Sequence, residues 1–159
     1  MVSSSQITAQ LPFDAPASAS MVLTSSGGTT APFTFTPQFA APAIFSNNGV
    51  PMIIRKVDGK MVTNSTPIHL NNKLTIYLTG MGATTPAVDT GDGGPSDPLA
   101  TASTLPTITL GGASIFVLSS ELVPNQVGVY KIEAQVPFHH IPTGSIFLSR
   151  SRKAPTRQP

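Results

Sequence analysis

The densest group of chemically competent side chains is the run Asp89-Thr-Gly-Asp-Gly-Gly-Pro-Ser-Asp97. Carboxylates on a flexible, glycine-rich loop suit calcium, a hard cation that accepts oxygen ligands in loose geometry. Asp89, Asp92 and Asp97 are therefore the calcium candidates, although the run lacks the spacing and the bidentate glutamate of an EF-hand. A plain acidic loop explains the same residues without any ion. His139 and His140 are adjacent, so on a strand they point to opposite faces and cannot share a metal, whereas in a turn they could. With His69 as the only other imidazole, a polar turn is expected there rather than a metal centre. The chain has no cysteine, which removes thiolate chemistry, disulfides and cysteine-based zinc sites together.

Catalytic patterns are missing in the same way. Serines are plentiful, yet none stands in a Gly-x-Ser-x-Gly elbow. Glu121 and Glu133 are the only glutamates, and neither has the setting of a glycosidase acid or base. The Gly-Gly pairs at 27, 93 and 111 precede no helical pattern, so they are read as turns and not as phosphate cradles. Tyr77 and Tyr130, in a chain without tryptophan, make a poor platform for sugar stacking and are read as strand residues with the hydroxyl at the rim. No catalytic residue and no bound cofactor is expected, with calcium the one candidate ion.

The elements that must position these residues are strands. In Gly128-Val-Tyr-Lys-Ile-Glu-Ala-Gln-Val-Pro-Phe138, residues Ile132, Ala134 and Val136 fall on one face and Lys131, Glu133 and Gln135 on the other. That is the period-2 pattern of a strand with one buried and one wet face, ended by a proline that has no N–H for the ladder. A shortened copy, Gln6-Ile-Thr-Ala-Gln-Leu-Pro-Phe13, stands near the N-terminus, with Ile7 over Ile132, Ala9 over Ala134 and Leu11 over Val136. The copy predicts a first strand over 6–11. Further strands are predicted over 20–24 and over 33–36, where Phe33 and Phe35 point inward against two threonines.

Asn47-Asn-Gly49 turns the chain into a hairpin of 52–57 and 60–63, whose Asp58-Gly59 suits a type I′ turn. Residues 73–79 read as the strongest central strand, with Leu74, Ile76 and Leu78 on one face and Thr75, Tyr77 and Thr79 on the other. A long Pro- and Gly-rich loop over 83–106 is expected to be irregular and exposed. A second hairpin pairs 107–110 with 113–118 through Gly111-Gly112, and a last strand covers 145–148. Leu74, Ile76, Leu78, Ile108, Leu110, Ile132, Ala134 and Val136 are expected to be buried together between two sheets.

Composition agrees with an all-β reading. Of 159 residues, 40% are hydrophobic and only 10% charged, against a usual charged share of about 25%. No window carries a 3.6-residue period. Four of the nine basic residues, Arg150, Arg152, Lys153 and Arg157, crowd the end. The high pI thus belongs to a tail, which is read as a solvated terminus and not as a nucleic-acid patch. The first residues lack the basic and apolar regions of a signal peptide, and no stretch approaches the ~20 apolar residues of a membrane span.

Leu74-Thr-Ile-Tyr-Leu-Thr-Gly-Met-Gly82, Thr85-Pro-Ala87, Pro98-Leu99, Ile108-Thr-Leu-Gly-Gly112 and Val127 to Pro137, joined by Gln6 to Phe13 and Ala40 to Phe45, carry a family resemblance over residues 6–148. The chain resembles the uncharacterised C-terminal domain, of a Solibacter-type family, found in many copies in large secreted proteins of acidobacterial soil bacteria. The resemblance implies an immunoglobulin-like antiparallel β-sandwich, an extracellular or cell-surface setting and no assigned catalysis. The family portion that would precede Gln6 is missing and 150–159 departs from the usual ending, so a fragment, a truncated reading frame or a processed product is expected.

The expected organisation is an N-terminal β arm or partial sandwich repeat over 1–45, a β-sandwich domain over 46–149 and a basic tail over 150–159. The arm is expected to dock on the same chain, with strand addition to a neighbour as the alternative. The leading functional expectation is a non-enzymatic structural or adhesive module acting by surface contact, with protein partners or self-association through exposed strand edges. A carbohydrate- or polymer-binding module using the 83–106 loop is the alternative. A hydrolase fragment ranks last, because no acid, base and nucleophile can be named.

Overall fold

A computed structural model describes residues 2, 3 and 5–138, together with the backbone of 146–149. His139, His140 and the 150–159 tail lie outside the described residues. Within them the chain is all-β, without helix. In the N-terminal region come β1 (Ala19–Met21), β2 (Thr24–Ser25), β3 (Gly28–Thr29) and β4 (Phe33–Phe35). They are followed by β5 (Ala43–Ile44), β6 (Ser46–Asn47), β7 (Val50–Pro51), β8 (Ile53–Arg55) and β9 (Lys73–Thr79). The remainder is β10 (Thr84–Thr85), β11 (Thr101–Ala102), β12 (Thr107–Leu110), β13 (Ala113–Leu122), β14 (Tyr130–Gln135) and β15 (Ile146–Ser149).

Nine of these strands form one antiparallel sheet in the order β10-β11-β13-β14-β9-β5, with β8 also on β9, β12 on β13 and β15 on β12. Its centre is the pair of alternating segments that the sequence singles out. Tyr130, Ile132 and Ala134 of β14 lie opposite Leu78, Ile76 and Leu74 of β9. The inward row Ser120-Ile132-Ile76-Ile53 therefore crosses four strands, and no residue in it is more than 4% exposed. Ile108, Leu110, Val136, Ile115 and Leu122 complete the cluster, so all eight core positions expected from the pattern are buried together. A contiguous apolar cluster of this kind is the main stabilising term of a domain.

β13 shows how the sheet keeps its sidedness over ten residues. Its register against β14 shifts between Val117 and Ser119. Before the shift Ile115 and Val117 face the core, and after it Ser120 and Leu122 do, a change of parity. The extra residue, Leu118, is left 52% exposed. Without this bulge the strict alternation of a strand would turn Glu121 inward. The strand continues to Leu122, beyond the expected end at 118, because the bulge hides the continuation from a period-2 reading.

Turn chemistry behaves as its residues dictate at two of three hairpins. Asn48 and Gly49, with φ of 50° and 78°, close β6 on β7, and Gly111 and Gly112, with 59° and 85°, close β12 on β13. Two successive left-handed residues are what a type I′ turn requires. The Asp58-Gly59 turn differs. Only Gly59 takes positive φ, and the loop is closed by Gly59 N–H to Arg55 O and by Arg55 N–H to Lys60 O. Asp58 instead accepts the Arg55 guanidinium and the Lys60 N–H, a role incompatible with a two-residue turn.

The largest departure is at the N-terminus. The strand predicted over 6–11 is absent: the segment carries a single bridge, Val2 to Ile7, and Ile7 and Leu11 are 48% and 46% exposed. The 20–24 segment is divided between β1 and β2, and Phe33 is 63% exposed instead of pointing into the core. The 83–106 segment is less irregular than expected. Its ends form β10 and β11 at the edge of the sheet, and Thr84, Ala100 and Ala102 are buried.

Candidate functional site

The outer face of the sheet collects most of the polar side chains named from sequence and pairs them with one another. Lys131 on β14 meets Glu121 on β13 at 2.9 Å, directly across the strands. That hydrogen-bonded carboxylate raises the lysine pKa. On the neighbouring row Glu133 takes the Lys56 ammonium at 2.8 Å and the Thr75 hydroxyl at 2.9 Å. This cover explains why Thr75, on the nominally wet face, is only 8% exposed. Both glutamates are thus held in cross-strand contacts of the kind that pin register. Asp58 is likewise engaged, and the Arg55 guanidinium holds its carboxyl below the usual carboxylate range.

The two tyrosines separate. Tyr77 lies half-buried on the outer face, opposite Lys131. Tyr130 points inward, is 1% exposed, and its hydroxyl donates to the carbonyl of Gly82. A rim position was expected for both, but the parity of β14 puts Tyr130 in the core row with Leu78. Burial pushes its hydroxyl pKa up to about 12. His69 is exposed in a turn, its backbone N–H donating to Asn72 Oδ1 at 2.8 Å.

Asp89, Asp92 and Asp97 do not converge. Asp89 and Asp92 share a tight turn, in which the Asp92 N–H donates to Asp89 O at 3.1 Å. Between Asp92 and Asp97 the backbone of Gly93 and Gly94 is pinned to the segment linking β13 and β14, through Gly94 N–H to Gln126 O and Asn125 N–H to Gly94 O. A Cβ on Gly94 would lie 2.8 Å from Leu122 Cβ and from Val123 O, so glycine is what lets the chains approach. Asp97 follows this anchor in a separate turn, closed by the Ser96 to Leu99 bridge. All three aspartates are exposed, and among the described residues no three His, Asp or Glu side chains come together around one point.

The N-terminal arm is held at two places, the 89–92 turn and the end of β9. Gln10 Oε1 accepts the Gly91 N–H at 2.8 Å, and the Phe13 N–H donates to Thr90 Oγ1 at 3.2 Å. Further along, Ala41 N–H donates to Gly80 O and β5 pairs with the end of β9. Gly80 and Gly82, both at positive φ, are required there: a Cβ would lie 2.2 Å from Ala41 O at the first and 2.4 Å from Phe39 O at the second. Between these anchors, among the described residues, β1 pairs only with β4 and β2 only with β3. Among the described residues, nine of the seventeen exposed large hydrophobics, Val2 to Phe39, lie in this arm, which covers a quarter of the chain.

No family model, curated protein or solved structure matches the chain. Residues 15–54 contain no charged side chain. Within that run the β1–β4 hairpin sets Ala19, Met21, Phe33 and Phe35 on one face and Ser20 and Thr34 on the other. Met21 and Phe33, directly opposite each other, are 59% and 63% exposed, and the Phe33 and Phe35 rings stack with centroids 6.1 Å apart. This apolar, charge-free face is the most distinctive exposed surface among the described residues. Its signal in the sequence was the length of chain without charge, which the alternation of single strands does not reveal. No helix among the described residues is long and apolar enough to cross a membrane.

Proposed function

We propose that the chain is a non-enzymatic structural or adhesive module, an immunoglobulin-like β-sandwich that acts outside the cell through surface contact and assembly. The observation that carries this reading is the exposed apolar surface of the N-terminal arm, from Val2 to Phe39, beside a sheet on whose outer face Glu121 and Glu133 are already held by Lys131 and Lys56. Soluble monomers rarely expose contiguous apolar surface without using it for contact. Antiparallel sheets with one apolar and one wetted face are the usual material of sandwiches, which supports the architectural half of the proposal.

Light scattering on the full chain across a concentration series, run beside a glycan array, tests the reading. A mass that rises with concentration supports contact and assembly. Reproducible polysaccharide binding that is lost when Asp89, Thr90 and Asp92 are replaced by Ala assigns the function instead to polymer binding at the loop. A constant monomer mass contradicts the assembly reading.

A further inference from the structure

Building on the assembly reading, we propose that the β1–β4 hairpin is a self-association element, its apolar face packing on the same face of a second copy of this chain. A two-stranded hairpin alone is at best marginally stable in water, and three or more strands with an apolar face, or packing on another element, are needed. Among the described residues β1 and β4 pair with no strand but each other. Two hairpins face to face supply four strands and cover Met21 and Phe33, now 59% and 63% exposed.

Three observations favour a second copy over another occupant. A face packed on its own two-fold image meets the same patch, so a charge near the axis would meet its like. Residues 15–54 carry none. A lipid surface, in contrast, is usually met by Lys or Arg with Trp or Tyr at the interface, and residues 15–54 contain none of the four. The stacked Phe33 and Phe35 rings offer a flat aromatic surface to an identical one.

The test is sedimentation velocity on the full chain over a concentration series, with Met21→Lys/Phe33→Lys compared against Ser20→Lys/Thr34→Lys on the opposite face. Because the hairpin stands outside the core cluster, both variants should melt like the parent chain. A parent dimer whose dissociation midpoint moves up by about tenfold or more in the first variant, through like charges set against each other, and hardly at all in the second, is the expected result. A dimer that survives Met21→Lys/Phe33→Lys but is lost in Phe116→Lys overturns this inference while leaving the assembly reading standing. A monomer at every concentration overturns both. Monomeric chain that floats with phosphatidylcholine vesicles, and stops doing so in Met21→Lys/Phe33→Lys, overturns it in favour of a lipid surface.

Discussion

Replacing Ile76 by Ala removes three carbons from the middle of the row Ser120-Ile132-Ile76-Ile53, at a position that is 0% exposed. Its neighbours cannot easily move into the gap, since Ile132 is held on β14 between β13 and β9, and Ile53 is held on β8 by its pairing with β9. Truncations of this kind cost about 2–5 kcal/mol, more where the site cannot collapse, so roughly 4 kcal/mol is expected here. In a chain of this size each kcal/mol lowers the melting temperature by about 2–4 °C, which gives a drop of roughly 8–16 °C by calorimetry. Ile76→Val should cost about 1 kcal/mol. Phe116→Ala, at a residue 65% exposed, should stay within about 0.5 kcal/mol. Equal shifts for Ile76→Ala and Phe116→Ala would refute the placement of the core.

Ser120 is 0% exposed and its hydroxyl has no hydrogen-bond partner among the described residues, so Ser120→Ala should raise stability by about 1 kcal/mol in a urea titration. Gly94→Ala should destabilise the fold by about 1–3 kcal/mol, because Leu122 and the Val123 carbonyl leave no room for the methyl, and hydrogen exchange should then rise at Asn125. Tyr130 ionises near 10.0 when unfolded but only at about 12 when folded, so the folded state holds the proton more tightly. Its contribution to stability is intact below pH 10 and is lost as the pH rises towards 12, and melts of Tyr130→Phe should lack this alkaline loss.

Much of the core was legible because alternation and partnership coincide at β9 and β14: each has a strand on both sides, so the face marked by Leu74, Ile76, Ile132 and Ala134 is covered. The 6–13 copy shows why alternation alone does not suffice. Ile7, Ala9 and Leu11 repeat the pattern of Ile132, Ala134 and Val136, but among the described residues no strand lies beside them, and a strand exists only through a neighbour's N–H and C=O groups. The bulge at Leu118 and the inward Tyr130 depend on cross-strand register, which a single sequence does not carry. The division of Asp89 and Asp92 from Asp97 depends on a contact with residues 122–126, about thirty positions away, that sequence spacing cannot show. The hairpin face was half legible. Its strands follow from alternation, while the exposure of Phe33 depends on what does not pack against it.

Hydrogen exchange on the full chain at low and high protein concentration tests most directly whether the N-terminal arm is the surface through which this protein makes contact. Exchange in β1 and β4, slow only while their cross-strand bonds are closed, should fall as concentration rises, with β9 and β14 unchanged. Exchange in Ala19–Met21 and Phe33–Phe35 that is the same at both concentrations, while the mass of the protein rises, would contradict the account.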